Sequence, residues 1–297
     1  MNYVLQALVL QSNPAVPIEQ STFDSLKQSR KALTAAFALE EIYDLLLANF
    51  RELELSALEA AVTEMTAWRT GYDNFFEVRS VLNRRALNLL SAARLYLDQF
   101  PQWMKEAGAS PEQPRNRAHA VYDASFQYRF MEALRNHVQH VGMAVHGVNM
   151  RSDWSPKVER KHLQFSIAPY ASRVALTADE GFKKSVLQEC PETVAILPAA
   201  RAYVGGISEV HKDVRELVAP LAEAARHDFE SAIKVHEDAA HERLPGLTAL
   251  AIEAGRTVDT IPIFLQWDDV RVALHGRNKA VTNLSQRYVS GKAGNDA

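Results

Sequence analysis

Arg135-Asn136-His137-Val138-Gln139-His140 gathers an arginine, an amide and two imidazoles into six residues. Arginine grips phosphate through a planar fork of donors, and histidine exchanges protons near neutral pH. Together they carry the chemistry for cleaving a phosphodiester without a metal ion. The same residues also suit the polar end of an ordinary helix, with Arg135 capping carbonyls or paired to Glu132 and His140 a satisfied helix-end histidine. Gly142 is expected to stop the helix, which puts both imidazoles in its last turns. The negative end of the helix dipole favours imidazolium there, and a histidine poised near neutrality suits acid–base work. Asn136 and His140 are four apart and share a face. Arg135 and His140 are five apart, about 140° around an ideal helix. Arg135 therefore reaches the same pocket only through its long side chain or from a second subunit.

The elements around this stretch are mostly helical. Tyr122, Phe126, Phe130, Leu134 and Val138 step by four, which predicts one helix from about Arg117 to Val141. Two long helices precede it, over 23–72 with a bend near 49–52 and over 75–99, the second ended by Pro101 and the run 107–111. The fold class expected is mainly α. An antiparallel helical bundle fills residues 1–150, and residues 151–297 are mostly helical with a few short strands. Leu163, Phe165 and Ile167 alternate with polar residues as a strand does. Thr177-Ala178-Asp179-Glu180 looks like a capping box that opens a short helix. A long helix over 193–240, kinked at Gly205-Gly206, precedes a weak strand at 257–263 and a helix over 267–288. Residues 3–10 suit a strand or a short docking helix, and 290–297 a disordered tail.

Composition narrows the function classes. The 297 residues are 47% hydrophobic with a formal net charge of −3, so any polyanion contact must come from a local patch. A single cysteine, Cys190, excludes an intramolecular disulfide and any cysteine zinc cluster, which favours a reducing cytoplasm. Cys190 itself is expected to be structural. The N-terminus lacks the basic start of a signal peptide, and no stretch reaches the roughly 18 apolar residues of a membrane span, so no membrane is expected. His211, His227, His236 and His241 have Asp213, Asp228, Glu237 and Asp238 nearby, without the H-E-x-x-H register of a metal site. They are expected on a solvated helix face. No phosphate loop, dinucleotide fingerprint or nucleophile elbow occurs, so neither metal nor cofactor is expected.

Arg135-Asn136-x-x-x-His140 resembles the R-x(4–6)-H motif of the HEPN superfamily (higher eukaryotes and prokaryotes nucleotide-binding), whose members often carry Asn after the arginine. The motif's place at the end of a long helix in a bundle is similar too. Asn83 to Asp98 also resembles a helix of bacterial proteins that bear an RN-x-x-x-H element. The resemblance implies a metal-independent endoribonuclease, homodimeric so that two motifs meet in one cleft, of a bacterial defence or toxin–antitoxin type. Arg135 would then stabilise the scissile phosphate. His140 would be general acid or base for attack by the ribose 2′-hydroxyl, with Asn136 orienting it or the phosphate. His137 would be a helper.

Arg84, Asn88, Ser91 and Asp98 form a polar line on the preceding helix. Such a line fits a hydrogen-bonded seam between helices. It also fits a pocket in which Arg84 and Asn88 contact substrate. Arg94 and Asp98 suit a surface ion pair. Arg151, Lys157, Arg160, Lys161 and His162 form a basic cluster suited to guiding RNA or to a charged loop. Two other functions fit the same residues. One is a non-catalytic scaffold or interaction subunit with a protein partner such as an antitoxin. The other is a nucleotide- or RNA-binding module without cleavage.

Overall fold

The computed structural model describes residues 1–10, 12–67, 71–154, 163–279, 281 and 283–287. The protein is mainly α with minor β. Its helices are α1 (Gln20–Ala67), α2 (Tyr72–Glu106), α3 (Glu112–Ala124), α4 (Phe126–His140), α5 (Arg173–Thr177), α6 (Lys184–Glu189), α7 (Ile196–Ala240) and α8 (Gln266–Arg277). The strands are β1 (Asn2–Ala7), β2 (Val16–Ile18), β3 (Gly147–Trp154), β4 (Leu163–Ser172), β5 (Thr193–Ala195), β6 (Leu247–Glu253) and β7 (Arg256–Pro262). The N-terminal segment is thus a strand. The long stretch expected as helix from 193 starts with β5. The tail at 290–297 and the basic residues Lys157 to His162 lie outside the described residues.

The chain divides into two compact units, neither of them a continuous stretch. One comprises 1–41, 99–113 and 212–279. Its sheet runs β2-β1-β6-β7, antiparallel throughout. Phe23, Leu26, Leu33 and Leu39 of α1 and Val214, Ala222 and Phe229 of α7 supply buried side chains at helical spacing. The other unit comprises 42–98, 114–211 and 280–297, and its sheet runs β3-β4-β5. Leu46 and Leu53 of α1, Leu82 and Leu89 of α2, Phe130 and Leu134 of α4, and Tyr203 and Ile207 of α7 are buried there.

Several local signals resolve differently from expectation. Pro101 lies inside α2 rather than ending it. An interior proline costs about 3 kcal/mol in lost hydrogen bonding and sterics. Burial of Phe100, Met104 and Ala107 on either side of it offsets that cost. The helix stops instead at Gly108, whose φ is 90°. Ala109 N–H then donates to Met104 O and Gly108 N–H to Lys105 O, a Schellman closure. The single helix expected over 117–141 is two helices. Ser125 adopts an extended conformation, and its Oγ accepts from Tyr128 N at 3.2 Å, which caps α4. Gly205-Gly206 leaves α7 unbroken. A Cβ at Gly206 would lie 2.4 Å from Val121 and 2.8 Å from Tyr128, so the glycine serves close approach. The last helix, expected over 267–288, ends at Arg277.

The histidines of α7 are not a solvated face. His227 and His241 are exposed, but His211 and His236 are buried. His211 stacks on Tyr43 at 3.8 Å between ring centroids, and its Nδ1 lies 2.9 Å from the Tyr96 hydroxyl. Among the described residues no group of three histidines, cysteines or carboxylates could hold a metal ion. Cys190 is buried, in keeping with a structural role.

Buried ion pairs join α1 to α7 within each unit. Arg215 donates to both carboxylate oxygens of Glu40 at 2.7 and 2.5 Å. Arg201 does the same to Glu54 at 2.6 and 2.7 Å, both side chains about nine-tenths buried. A fork-to-fork pair fixes helix register, because neither charge tolerates being left alone in the interior. Arg201→Met should therefore lower unfolding free energy by about 3–5 kcal/mol, while Glu54→Leu combined with Arg201→Met should recover most of that loss. Urea denaturation of the two variants checks this. A double variant as unstable as the single one would assign the effect to packing.

Candidate functional site

The candidate site is the C-terminal end of α4 with the segments that surround it. Tyr128, Phe130, Met131, Leu134 and His137 are buried along its inner face. On an ideal helix of 100° per residue, fixing His137 inward turns His140 about 60° away from that direction, Asn136 about 100° and Arg135 about 160°. His140 and Asn136 are exposed, Arg135 is half-buried although it is turned farthest from the anchor, and His137 is 4% exposed.

His137 is the anchor. Its Nδ1 lies 2.7 Å from Asp179 Oδ2, with both side chains buried. Asp179 Oδ1 accepts from Gly181 N at 2.9 Å. The aspartate thus sits in the connection between α5 and α6, not in a capping box as the sequence suggests. The His137 hydrogen bond holds its carboxyl below the usual carboxylate range. The Gly181 amide and the charges of His137 and His140 act the same way, against the opposing effect of burial. His137 O accepts from both Val141 N and Gly142 N, so one residue ends the helix and ties it down. Gly142 closes the helix as expected, but for lack of bulk: a Cβ there would lie 2.7 Å from His137 Nε2.

His146, which follows α4, adds a third imidazole. Its ring centroid is 5.9 Å from that of His137, and its Nδ1 accepts from Ser172 N at 3.1 Å. That bond makes Nε2 the protonated nitrogen of the neutral ring. Burial pushes its pKa down, and the charges of His137 and Arg79 add to the effect. Asn83 of α2 clamps the same segment: its side-chain amide donates to Val145 O at 2.9 Å and accepts from Val145 N at 2.8 Å.

Arg135 Nη1 donates to Asn136 Oδ1 at 2.8 Å, and its Nε is buried without a partner among the described residues. Glu132 is not its counter-ion. That carboxylate takes the Tyr203 hydroxyl and lies 3.9 Å from Arg94, which also pairs with Asp98 at 2.6 Å. Burial, with the Glu132 charge behind it, pushes the Tyr203 and Tyr128 hydroxyls well up, so both stay protonated. The Asn136 side chain is thus bonded to Arg135 and, among the described residues, not to His140. No hydrogen bond among the described residues joins Arg135 to His140.

Arg84, Asn88, Ser91 and Asp98 are all exposed, so their line is not a buried seam. Arg84 and Asn88 hydrogen-bond to nothing among the described residues. The α2 cation whose charge acts on His146 is Arg79, which also rests against Phe75 and Phe76. As site residues, Asp179, His146, Arg79 and Asn83 escaped the sequence reading. Asp179 is 42 residues from His137, and no local pattern links them.

The depressed Asp179 carboxyl has a pH consequence. Its stabilisation is fully present above the unfolded-state value of about 4 and is lost as pH falls through the lower folded value. Asp179→Asn should flatten the fall in melting temperature from about pH 5 to about pH 3. Thermal melts of both proteins across that range check it, and parallel curves would show that the pair contributes nothing. No protein-family model, curated protein or solved structure matches this chain.

Proposed function

We propose that the exposed end of α4 cleaves RNA without a metal ion, Arg135 holding the scissile phosphate and His140 moving the proton. The observation that supports this reading is the openness of both side chains. His140 is exposed and Arg135 half-buried, and neither is consumed by an ion pair among the described residues. A structural arginine at this position would cap carbonyls or pair with Glu132, and among the described residues Arg135 does neither.

The 2′-hydroxyl attacks the adjacent phosphorus, and the bond to the 5′-oxygen of the next nucleotide breaks. The products are a 2′,3′-cyclic phosphate and a 5′-hydroxyl. One proton leaves the nucleophile and one joins the leaving group, so two acid–base groups are needed. His140 supplies one, and the second copy in a homodimer supplies the other from its own His140. Arg135, oriented by Asn136, offsets the charge that grows on the phosphoryl oxygens. His137 is a positioning residue, since the Asp179 bond keeps it inside. Arg84 and Asn88, exposed on α2, and Arg79 are available to flanking phosphates. A bacterial defence or toxin–antitoxin setting, with an antitoxin as protein partner, fits such an activity.

Purified protein incubated with mixed-sequence RNA in a chelator should yield cyclic-phosphate ends. His140→Ala and Arg135→Ala should each lower the rate by about a hundredfold or more with unchanged circular dichroism. Absence of cleavage across varied RNAs, or variants as active as wild type, would sink the proposal.

A further inference from the structure

A cavity of about 550 Å³ lies within the unit that holds the β2-β1-β6-β7 sheet, and none of its lining residues belongs to the α4 site. It is built from the C-terminal turns of α7, the loop leading into β6, the end of β7 and the start of α8. Its size falls in the range of roughly 300–1,000 Å³ typical of small-molecule sites. Ile233, Leu244, Leu247, Ile263 and Phe264 give it apolar walls, with Phe264 exposed.

The walls are fixed before any ligand arrives. His241 and Gly246 adopt left-handed conformations, with φ of 57° and 73°, and turn the loop back toward the sheet. Gly246 O accepts from Leu8 N and from the Thr248 hydroxyl, each at 3.1 Å. Leu247 O accepts from Ile263 N at 2.8 Å.

Two charged side chains of the lining are left unpaired. His236 also borders the cavity, but it is 2% exposed and its Nε2 is closed off from solvent, so the polar recognition falls to those two. Arg243 and Glu237 line the cavity, and among the described residues neither forms an ion pair with the other or with any neighbour. A ligand with only a carboxylate would satisfy Arg243 and bring its charge near Glu237. An amine alone would have the converse problem. A molecule carrying both charges on an apolar body answers both.

We propose that this cavity binds a small zwitterion with an apolar side chain, an amino acid or a short peptide. Arg243 receives its carboxylate and Glu237 its ammonium group. The site is independent of the RNA-cleavage reading.

Isothermal titration of the full chain with L-phenylalanine and with the dipeptide Leu-Phe tests this, alongside the N-acetyl and C-terminal amide forms of the dipeptide. At least one of the two zwitterions should bind, and which one tells amino acid from peptide. Each blocked form should bind about tenfold or more weakly than the free dipeptide if the dipeptide is the ligand. Arg243→Gln and Glu237→Gln, at an exposed and a half-buried position, should weaken zwitterion binding similarly without changing the melting temperature of the free protein. Absence of binding by both zwitterions at millimolar concentration overturns the proposal. So do blocked forms that bind as well as the free dipeptide, or charge variants that bind as wild type.

Discussion

A buried hydrogen bond between His137 and Asp179 sets the geometry on which the candidate site depends. The imidazole and the carboxylate are both nearly inaccessible, and each would be costly to bury alone. Their pairing ties the last turn of α4 to the connection between α5 and α6. Because side chains on a helix are spaced by 100°, fixing one of them inward dictates where the others point. His140 and Asn136 are thereby turned to solvent, and Arg135 is carried to the side opposite the anchor. The same residue closes the helix through its carbonyl, and the missing side chain of Gly142 leaves room for its ring. The directions of the Arg–His pair and the termination of the helix thus share one cause.

The arrangement also explains how Arg135 stays available. The nearest acidic residue one turn earlier, Glu132, is occupied by the Tyr203 hydroxyl from α7 and by Arg94 from α2. An arginine whose nearest carboxylate is already spoken for keeps its charge unpaired. Its tether to the neutral Asn136 amide orders the guanidinium without neutralising it. Elsewhere the opposite principle operates. Arg201 and Arg215 are locked into bidentate pairs with Glu54 and Glu40, and Asp268, fully buried, takes both Arg226 and Arg271. The charge of those arginines is matched by buried carboxylates. Arg243, at the mouth of α7's terminal loop, belongs with Arg135 in the free class.

Much of the fold was legible in local patterns. The helical spacing of apolar residues located α1, α2, α4 and α7, and the alternation at Leu163, Phe165 and Ile167 located β4. Errors fell where local rules compete with packing. Pro101 reads as a breaker, yet buried aromatic and aliphatic neighbours carry α2 past it. Tyr122 to Val138 reads as one stripe, yet Ser125 caps a new helix in the middle of it, since a serine's preference for capping is not visible in apolar spacing. β3 and β6 were missed because a strand is stabilised by partners remote in sequence, which a window along the chain does not contain.

The sequence by itself determined the helical class, the long amphipathic segments, and the placing of an arginine, an amide and two histidines at a helix end. Those properties follow from residue type and spacing alone. Only the tertiary structure decided which histidine is buried, because that depends on Asp179 arriving from 42 residues away. It alone decided that His211 and His236 lie inside, although their acidic neighbours suggest a wet helix face. It also gathered the cavity beside His236 from four separate elements. Local preferences are written in short range, whereas burial and the pairing of charges are settled by segments that meet only on folding.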